Sequence, residues 1–305
     1  ALIPGPKPDN FFTCLSGEEC VGIPLLGEQL NDGDMLLVMY SNESCGDVPT
    51  AIPGMPNRGF SDPADARGTR FYWREAPVTA SGADYRLCWC SPSFSDCNNS
   101  ADFDTVAGTL RLIGPVRDQT RTCVAGLPCT LQNLSGHYFS DGSVAAQQFC
   151  DNDPAVMNRT DFQEVGFGGS AQFCADGHVT WAEPNRANGG IYKLCWKGVG
   201  QTSFGGEIGS IVVLGPVADH RRMASDSSPL IISLFQGAAG TSASQMGDRV
   251  RIADSCLTSP NAVAGVEGAG ISQKLEPNAT SFRWGESLLS APGGEYRMCW
   301  CAGHQ

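Results

Sequence analysis

One phrase occurs three times in this chain: Tyr85-Arg86-Leu87-Cys88-Trp89-Cys90, Tyr192-Lys193-Leu194-Cys195-Trp196 and Tyr296-Arg297-Met298-Cys299-Trp300-Cys301. Its tyrosines stand 107 and 104 residues apart. Each is preceded, at 12, 11 and 12 residues, by a further tryptophan: Trp73, Trp181 and Trp284. Behind the first two copies runs an apolar stretch ending in Gly-Pro, at residues 108–115 and 209–216. A phrase that recurs with matched neighbours on both sides marks a duplicated folding unit. A period of about 100 residues is too long for a solenoid unit and is the size of one β-sandwich domain.

Composition agrees with that unit. Hydrophobic residues are 41% of the 305, enough for packed cores, while 37 glycines and 19 prolines with no long helical pattern describe short strands joined by turns. Within each period a Trp-bearing strand, Phe71-Tyr72-Trp73 or Phe282-Arg283-Trp284, precedes a Gly/Ala/Ser turn. The Tyr-x-x-Cys-Trp strand follows, and then the Gly-x-apolar-x-apolar strand. Immunoglobulin domains end in this order, with strands E, F and G. The reading is an all-β chain of three tandem immunoglobulin-like β-sandwich repeats. They span residues 7–115, 116–216 and 217–305, after an N-terminal strand remnant at 1–6. Immunoglobulin domains place the corner tyrosine two residues before the cysteine, and here it stands three before, which leaves the corner hydrogen bond open.

The 14 cysteines include no zinc-type pairs, and they point to disulfides formed in an oxidising compartment. Comparing the copies pairs them. Cys45, Cys150 and Cys256 precede Cys88, Cys195 and Cys299 by 43 to 45 residues in every repeat, giving Cys45–Cys88, Cys150–Cys195 and Cys256–Cys299. Cys14 with Cys20 and Cys123 with Cys129 share one spacing and are both missing from repeat three, so each pair is joined. Cys90 and Cys97 are missing together from repeat two, which joins them. Cys174 and Cys301 are left over. For Cys301 the alternatives are a free thiol, a partner lost by truncation, or a bond to another chain.

Five Asn-x-Ser/Thr sequons, at Asn42, Asn98, Asn133, Asn158 and Asn278, fit N-glycosylation in a eukaryotic secretory pathway. The chain is expected outside the cell or at its surface. It begins without a signal peptide, as a processed form or an excerpt, and no apolar run approaches the roughly 18 residues of a membrane span. A net charge of −12 argues against a nucleic-acid partner, and His220-Arg221-Arg222, the densest basic spot, reads as a solvated turn.

The third repeat runs only six residues past Cys299, against 27 from Cys88 to Pro115, so its last strand is expected to be missing. A sandwich without that strand exposes unpaired backbone beside an open core. The N-terminus resembles the end of the missing strand. Aligned on Gly-Pro, Ile3 matches Leu112 and Val213, and Ala1 matches Leu110 and Ile211. Two explanations stay open: Ala1 and Ile3 complete repeat three of another molecule, head to tail, or the chain is an excerpt of a longer tandem protein.

The Tyr-Arg-Leu-Cys-Trp-Cys phrase and its trailing strand resemble repeats of very large, cysteine-rich secreted or surface proteins of single-celled eukaryotes. The whole is similar to subunits of extracellular fibrils or flagellar hairs (mastigonemes). That resemblance implies a structural role, a self-associating glycosylated filament, and carries over no catalytic residue. An adhesin or lectin-like ectodomain is the alternative, with residues 151–169 as its distinctive loop. His137, His178, His220 and His304 form no ligand motif, no nucleophile elbow or P-loop is present, and the chain is not expected to be an enzyme. No cofactor is expected. Calcium at Asp151, Asn152, Asp153, Asp161 and Glu164 is the weaker alternative, since the run lacks the central glycine of an EF-hand loop. The paired tryptophans are expected to pack the cores rather than to form a sugar-binding stripe.

Overall fold

The computed structural model describes residues 3–151, 165–173, 177–217, 221–225, 228–233, 247–256, 262–277 and 279–303. Every regular element longer than a single 3-10 turn among them is a strand; one hydrophobic core per repeat follows along the chain, and a fourth cluster, with Leu37, Met39 and Phe103, lies around the Cys45–Cys88 and Cys90–Cys97 disulfides of the first.

The first repeat carries β1 (Gly5–Pro6), β2 (Asn10–Leu15), β3 (Glu18–Pro24), β4 (Gly27–Glu28), β5 (Met35–Tyr40), β6 (Arg70–Val78), β7 (Ala83–Cys90) and β8 (Thr105–Pro115). One sheet runs β2-β8-β7-β5, with β2 parallel to β8, and the facing sheet pairs β3 with β6. Alternation along β8 sends Leu110 and Leu112 into the core, and a register shift before Gly108 brings Ala107 in as well; there they meet Trp73, Leu36 and Leu87. The second repeat repeats this plan with β9 (Gln119–Val124), β10 (Cys129–Leu131), β11 (Gly136–His137), β12 (Gly142–Gln147), β13 (Ala171–Gln172), β14 (Val179–Trp181), β15 (Gly190–Gly198) and β16 (Gly206–Leu214). Its sheets are β9-β16-β15-β12-β13, with β9 parallel to β16, and β10-β14. The third repeat shows β17 (Pro229–Ser233), β18 (Arg249–Ala253), β19 (Ser281–Leu288) and β20 (Arg297–Cys301), paired β17-β19 and β18-β20.

The recurrent tryptophans explain why this sequence folds this way three times. Trp73, Trp181 and Trp284 are buried, and each donates its indole N–H to a glycine carbonyl in the preceding loop: Gly59 at 3.0 Å, Gly169 at 3.0 Å and Gly270 at 2.6 Å. A buried indole needs such an acceptor, so the loop is tied to the core at one point. The tyrosine corner forms in all three repeats. Tyr85 Oη donates to the Ser81 carbonyl at 2.7 Å, Tyr192 Oη to Asn188 at 2.9 Å and Tyr296 Oη to Pro292 at 2.6 Å. Together with the facing sheets and the strand order, this makes the chain a tandem of immunoglobulin-like sandwiches. Six disulfides join Cys14–Cys20, Cys45–Cys88, Cys90–Cys97, Cys123–Cys129, Cys150–Cys195 and Cys256–Cys299. They point to an extracellular or cell-surface protein.

Candidate assembly site

Strand β7 is covered on its outer edge by β8, and β15 by β16, in one register. Tyr85 faces Leu110 and Tyr192 faces Ile211; two residues earlier, Ala83 faces Leu112 and Gly190 faces Val213. The covering strand is held from its other side as well, by β2 in the first repeat and β9 in the second. That double grip explains its glycines. A Cβ on Gly108 would stand 2.2 Å from the Asn10 carbonyl oxygen and one on Gly209 would stand 2.1 Å from that of Gln119, at φ of +143° and +145°.

In the third repeat no described strand pairs with the outer edge of β20. The counterpart of β2 and β9, residues 221–225, forms no strand and is exposed throughout, with Met223 fully open to solvent. The difference appears in side chains that the first repeat buries; Tyr192 of the second repeat is itself half-buried. Tyr85 is 1% exposed and Tyr296 is 38% exposed, while Met298, Cys299 and Trp300 are only half-buried where Leu87, Cys88 and Trp89 are buried. Among the described residues, neither a strand beside β20 nor one formed by residues 221–225 covers this side of the third core.

The other end of the chain carries a matching feature. The short ladder β1-β4 pairs Gly5 with Glu28 and Pro6 with Gly27. It reproduces the ladder between the end of β8 and β11, where Gly114 pairs with His137 and Pro115 with Gly136. The next backbone bond repeats too, Lys7 N–H to the Leu26 carbonyl at 2.8 Å and Val116 N–H to that of Ser135 at 3.0 Å. Each of these glycines faces the tryptophan of the repeat that follows it. A Cβ would stand 3.7 Å from Cζ3 of Trp89 at Gly5, 3.6 Å from that of Trp196 at Gly114 and 3.5 Å from that of Trp300 at Gly215. The chain therefore enters the first repeat in the conformation in which β8 enters the second. Ile3, just before this seat, is 81% exposed.

The junction between the first two repeats is held by polar contacts besides this seat. Arg117 pairs with Glu207 at 2.8 Å, and Gln201 Nε2 donates to the Ser16 carbonyl at 3.2 Å. Arg111 grips Asp84 with two bonds of 2.8 Å and lies between the rings of Phe11 and Tyr138. The Arg111 hydrogen bond holds the Asp84 carboxyl below its ordinary range, helped by His137 from β11 at 3.1 Å.

Of the residues singled out in the sequence, Asn42, Asn98 and Asn133 are exposed, as N-linked sugars require. Asn158, Asn278, Cys174 and Ala1 lie outside the described residues, as do His220 and His304. Cys301 is an exposed free thiol. Asp151 accepts the Phe204 N–H, while Asn152, Asp153, Asp161 and Glu164 lie outside the described residues, along with most of the loop that would distinguish an adhesin. Sequence reasoning did not find the seat of Gly5-Pro6 on β4 and Trp89. The signal available was the Gly-Pro dipeptide itself, present at Gly5, Gly114 and Gly215.

No protein-family model matches the chain, and no curated protein matches its sequence. The solved structures found similar to it are distant. Insect hemolin is 9% identical over 97% of this chain and 75% of its own, at a TM-score of 0.22. Extracellular domains 3–5 of Drosophila OTK are 10% identical over 99% of this chain and 96% of theirs, at 0.20. A Bacteroides ovatus glucan-utilisation protein, SGBP-B, solved with a mixed-linkage heptasaccharide, is 12% identical over 97% of this chain and 67% of its own, at 0.20. At these values the likeness does not bear on function.

Proposed function

We propose that this chain is a structural, glycosylated subunit of an extracellular filament, assembled head to tail by strand addition at the third repeat. The observation that carries this reading is the edge of β20, which no described strand covers, beside a half-exposed Tyr296 and Trp300, where β7 and β15 are covered. An unpaired edge next to an open core binds another strand or aggregates. The donor is the N-terminal segment of a second copy, with Ile3 in the place of Leu112. A contact between two different surfaces repeats without closing, and it yields a filament rather than a dimer. The exposed Asn42, Asn98 and Asn133 carry the N-linked sugars, away from that edge in sequence.

The test is electron microscopy of the unreduced protein, with Ile3→Asp alongside. Strands of nine residues, as in β15 and β16, span roughly 30 Å, so three sandwiches advance very roughly 90–120 Å. Filaments with an axial repeat at or below that length are expected, shorter where the repeats zig-zag. Ile3→Asp is expected to disperse them while the first two repeats melt unchanged. Filaments that persist in Ile3→Asp rule out strand donation, and a dispersed parent protein rules out the filament.

A further inference from the structure

A glycine three residues before each corner tyrosine behaves differently in the third repeat. In the first repeat Gly82 is buried under the incoming Gly-Pro: a Cβ there would stand 2.1 Å from the Gly114 carbonyl oxygen. Its N–H donates to the Pro115 carbonyl at 2.9 Å. In the second, a Cβ on Gly189 would stand 1.7 Å from the Gly215 carbonyl oxygen, and its N–H donates to Pro216 at 2.9 Å. No side chain fits at either position, because a backbone crosses there. The counterpart in the third repeat is Gly293. It is exposed and has nothing within 4 Å of its Cβ position. The opening that a crossing backbone requires is present, and among the described residues no backbone crosses it.

The same carbonyl has a second neighbour. Gly114 O lies over Gly82 of its own repeat and over Gly136 of the next, at 2.6 Å from a Cβ built there. Gly5 O lies over Gly27, the counterpart of Gly136, at 2.5 Å from the Cβ position. Its first neighbour, the counterpart of Gly82, is missing among the described residues. Gly293 thus has the seat without the dipeptide, and Gly5-Pro6 has the dipeptide with half of its seat.

We propose that Gly293 of one copy receives Gly5-Pro6 of another, its N–H donating to the Pro6 carbonyl, and that this glycine sets the register of the incoming strand. Ile3 then faces Gly294 and Ala1 faces Tyr296, the register of Leu112 on Ala83 and Leu110 on Tyr85. Residues 221–225 close over the far side as β2 and β9 do. This inference rests on the head-to-tail reading and names its partner, a second copy of this chain, residue by residue.

The experiment compares Gly293→Val with Gly294→Ala in the full 305-residue chain, following assembly by sedimentation and electron microscopy. A Cβ at Gly293 meets no described atom within 4 Å, so Gly293→Val is expected to keep its melting temperature and to raise the concentration needed for assembly by roughly tenfold or more. Gly294→Ala places an alanine where the first repeat has Ala83, and it is expected to assemble as the parent does. Unchanged assembly of Gly293→Val overturns the seat while head-to-tail association stands. Assembly lost in Gly293→Val but retained in Ile3→Asp overturns the choice of donor. A parent protein that stays monomeric overturns the seat together with the reading beneath it.

Discussion

The tyrosine corners of the first and third repeats make one comparison that turns on how deeply each is buried. Tyr85→Phe and Tyr296→Phe remove the same hydroxyl from the same hydrogen bond, to Ser81 at 2.7 Å and to Pro292 at 2.6 Å. Around Tyr85, which is 1% exposed, no water replaces the lost donor, so the change is expected to cost about 1–1.5 kcal/mol. Around Tyr296, 38% exposed, water substitutes, and the expected cost in the unassembled chain is below about 0.5 kcal/mol. The cost at Tyr296 should rise toward the Tyr85 value on assembly, when the strand covers it. Alkaline pH provides a second readout. Burial, with a smaller contribution from Tyr40, pushes the Tyr85 hydroxyl from 10.0 up to about 12. Below pH 10 both folded and unfolded chains keep this proton. Between 10 and 12 only the folded chain keeps it, so stability falls as pH rises, by roughly 2–3 kcal/mol in all. Tyr85→Phe should remove that slope. Three linked domains do not unfold as one two-state unit, so the assay is hydrogen exchange read by mass spectrometry, repeat by repeat. Equal costs at Tyr85 and Tyr296 in the monomer would refute the claim that the third repeat lacks its cover.

Two further outcomes test the packing. Asp34→Ala takes away the acceptor of the buried Trp89 indole N–H, 3.1 Å away, and should destabilise the first repeat by about 1–3 kcal/mol; Asp248→Ala, beside the half-buried Trp300, should cost less by the same hydrogen-exchange measure. Gly108→Ala forces a Cβ against the Asn10 carbonyl at a φ of +143°, and should cost about 1–3 kcal/mol, with β2 losing exchange protection before β7 does.

The sequence made the sandwiches legible because the chain carries its own comparison set. Cysteines lost together between copies mark bonded pairs, and the same twelve cysteines are joined in the structure. The corner bond stayed open because it was judged from the distance between tyrosine and cysteine. The structure shows that this distance is not the determinant: each hydroxyl reaches the carbonyl four residues upstream, a matter of the turn before the strand. The parallel pairing of β2 with β8, residues 10–15 against 108–113, was invisible because no local pattern records a contact across nearly a whole repeat. Gly82 and Gly189 were invisible for a related reason. A glycine that admits a distant backbone looks, in sequence, like any turn glycine. Trp196 shows where the repeat logic itself fails. Strand pairing puts Gly142 where the other repeats have Asp34 and Asp248, and its buried indole N–H has no partner among the described residues.

The covering strand serves two sandwiches at once. Along β8, Leu110 and Leu112 fill the core of the first repeat, while Gly114 and Pro115 pair with β11 and face Trp196 in the second. Each of the first two repeats is therefore completed by its own last strand, and the second is also positioned by the last strand of the repeat before it. A sandwich in such an array has two dependencies, and among the described residues the third repeat shows only the second: Gly215 sits against Trp300, and no described strand covers β20. The first repeat meets both, because Gly5-Pro6 supplies the handover that an earlier strand would supply. Among the described residues the third repeat shows the seat without its strand, and the first shows Gly5-Pro6 ahead of β2, the two halves of the contact proposed above between copies.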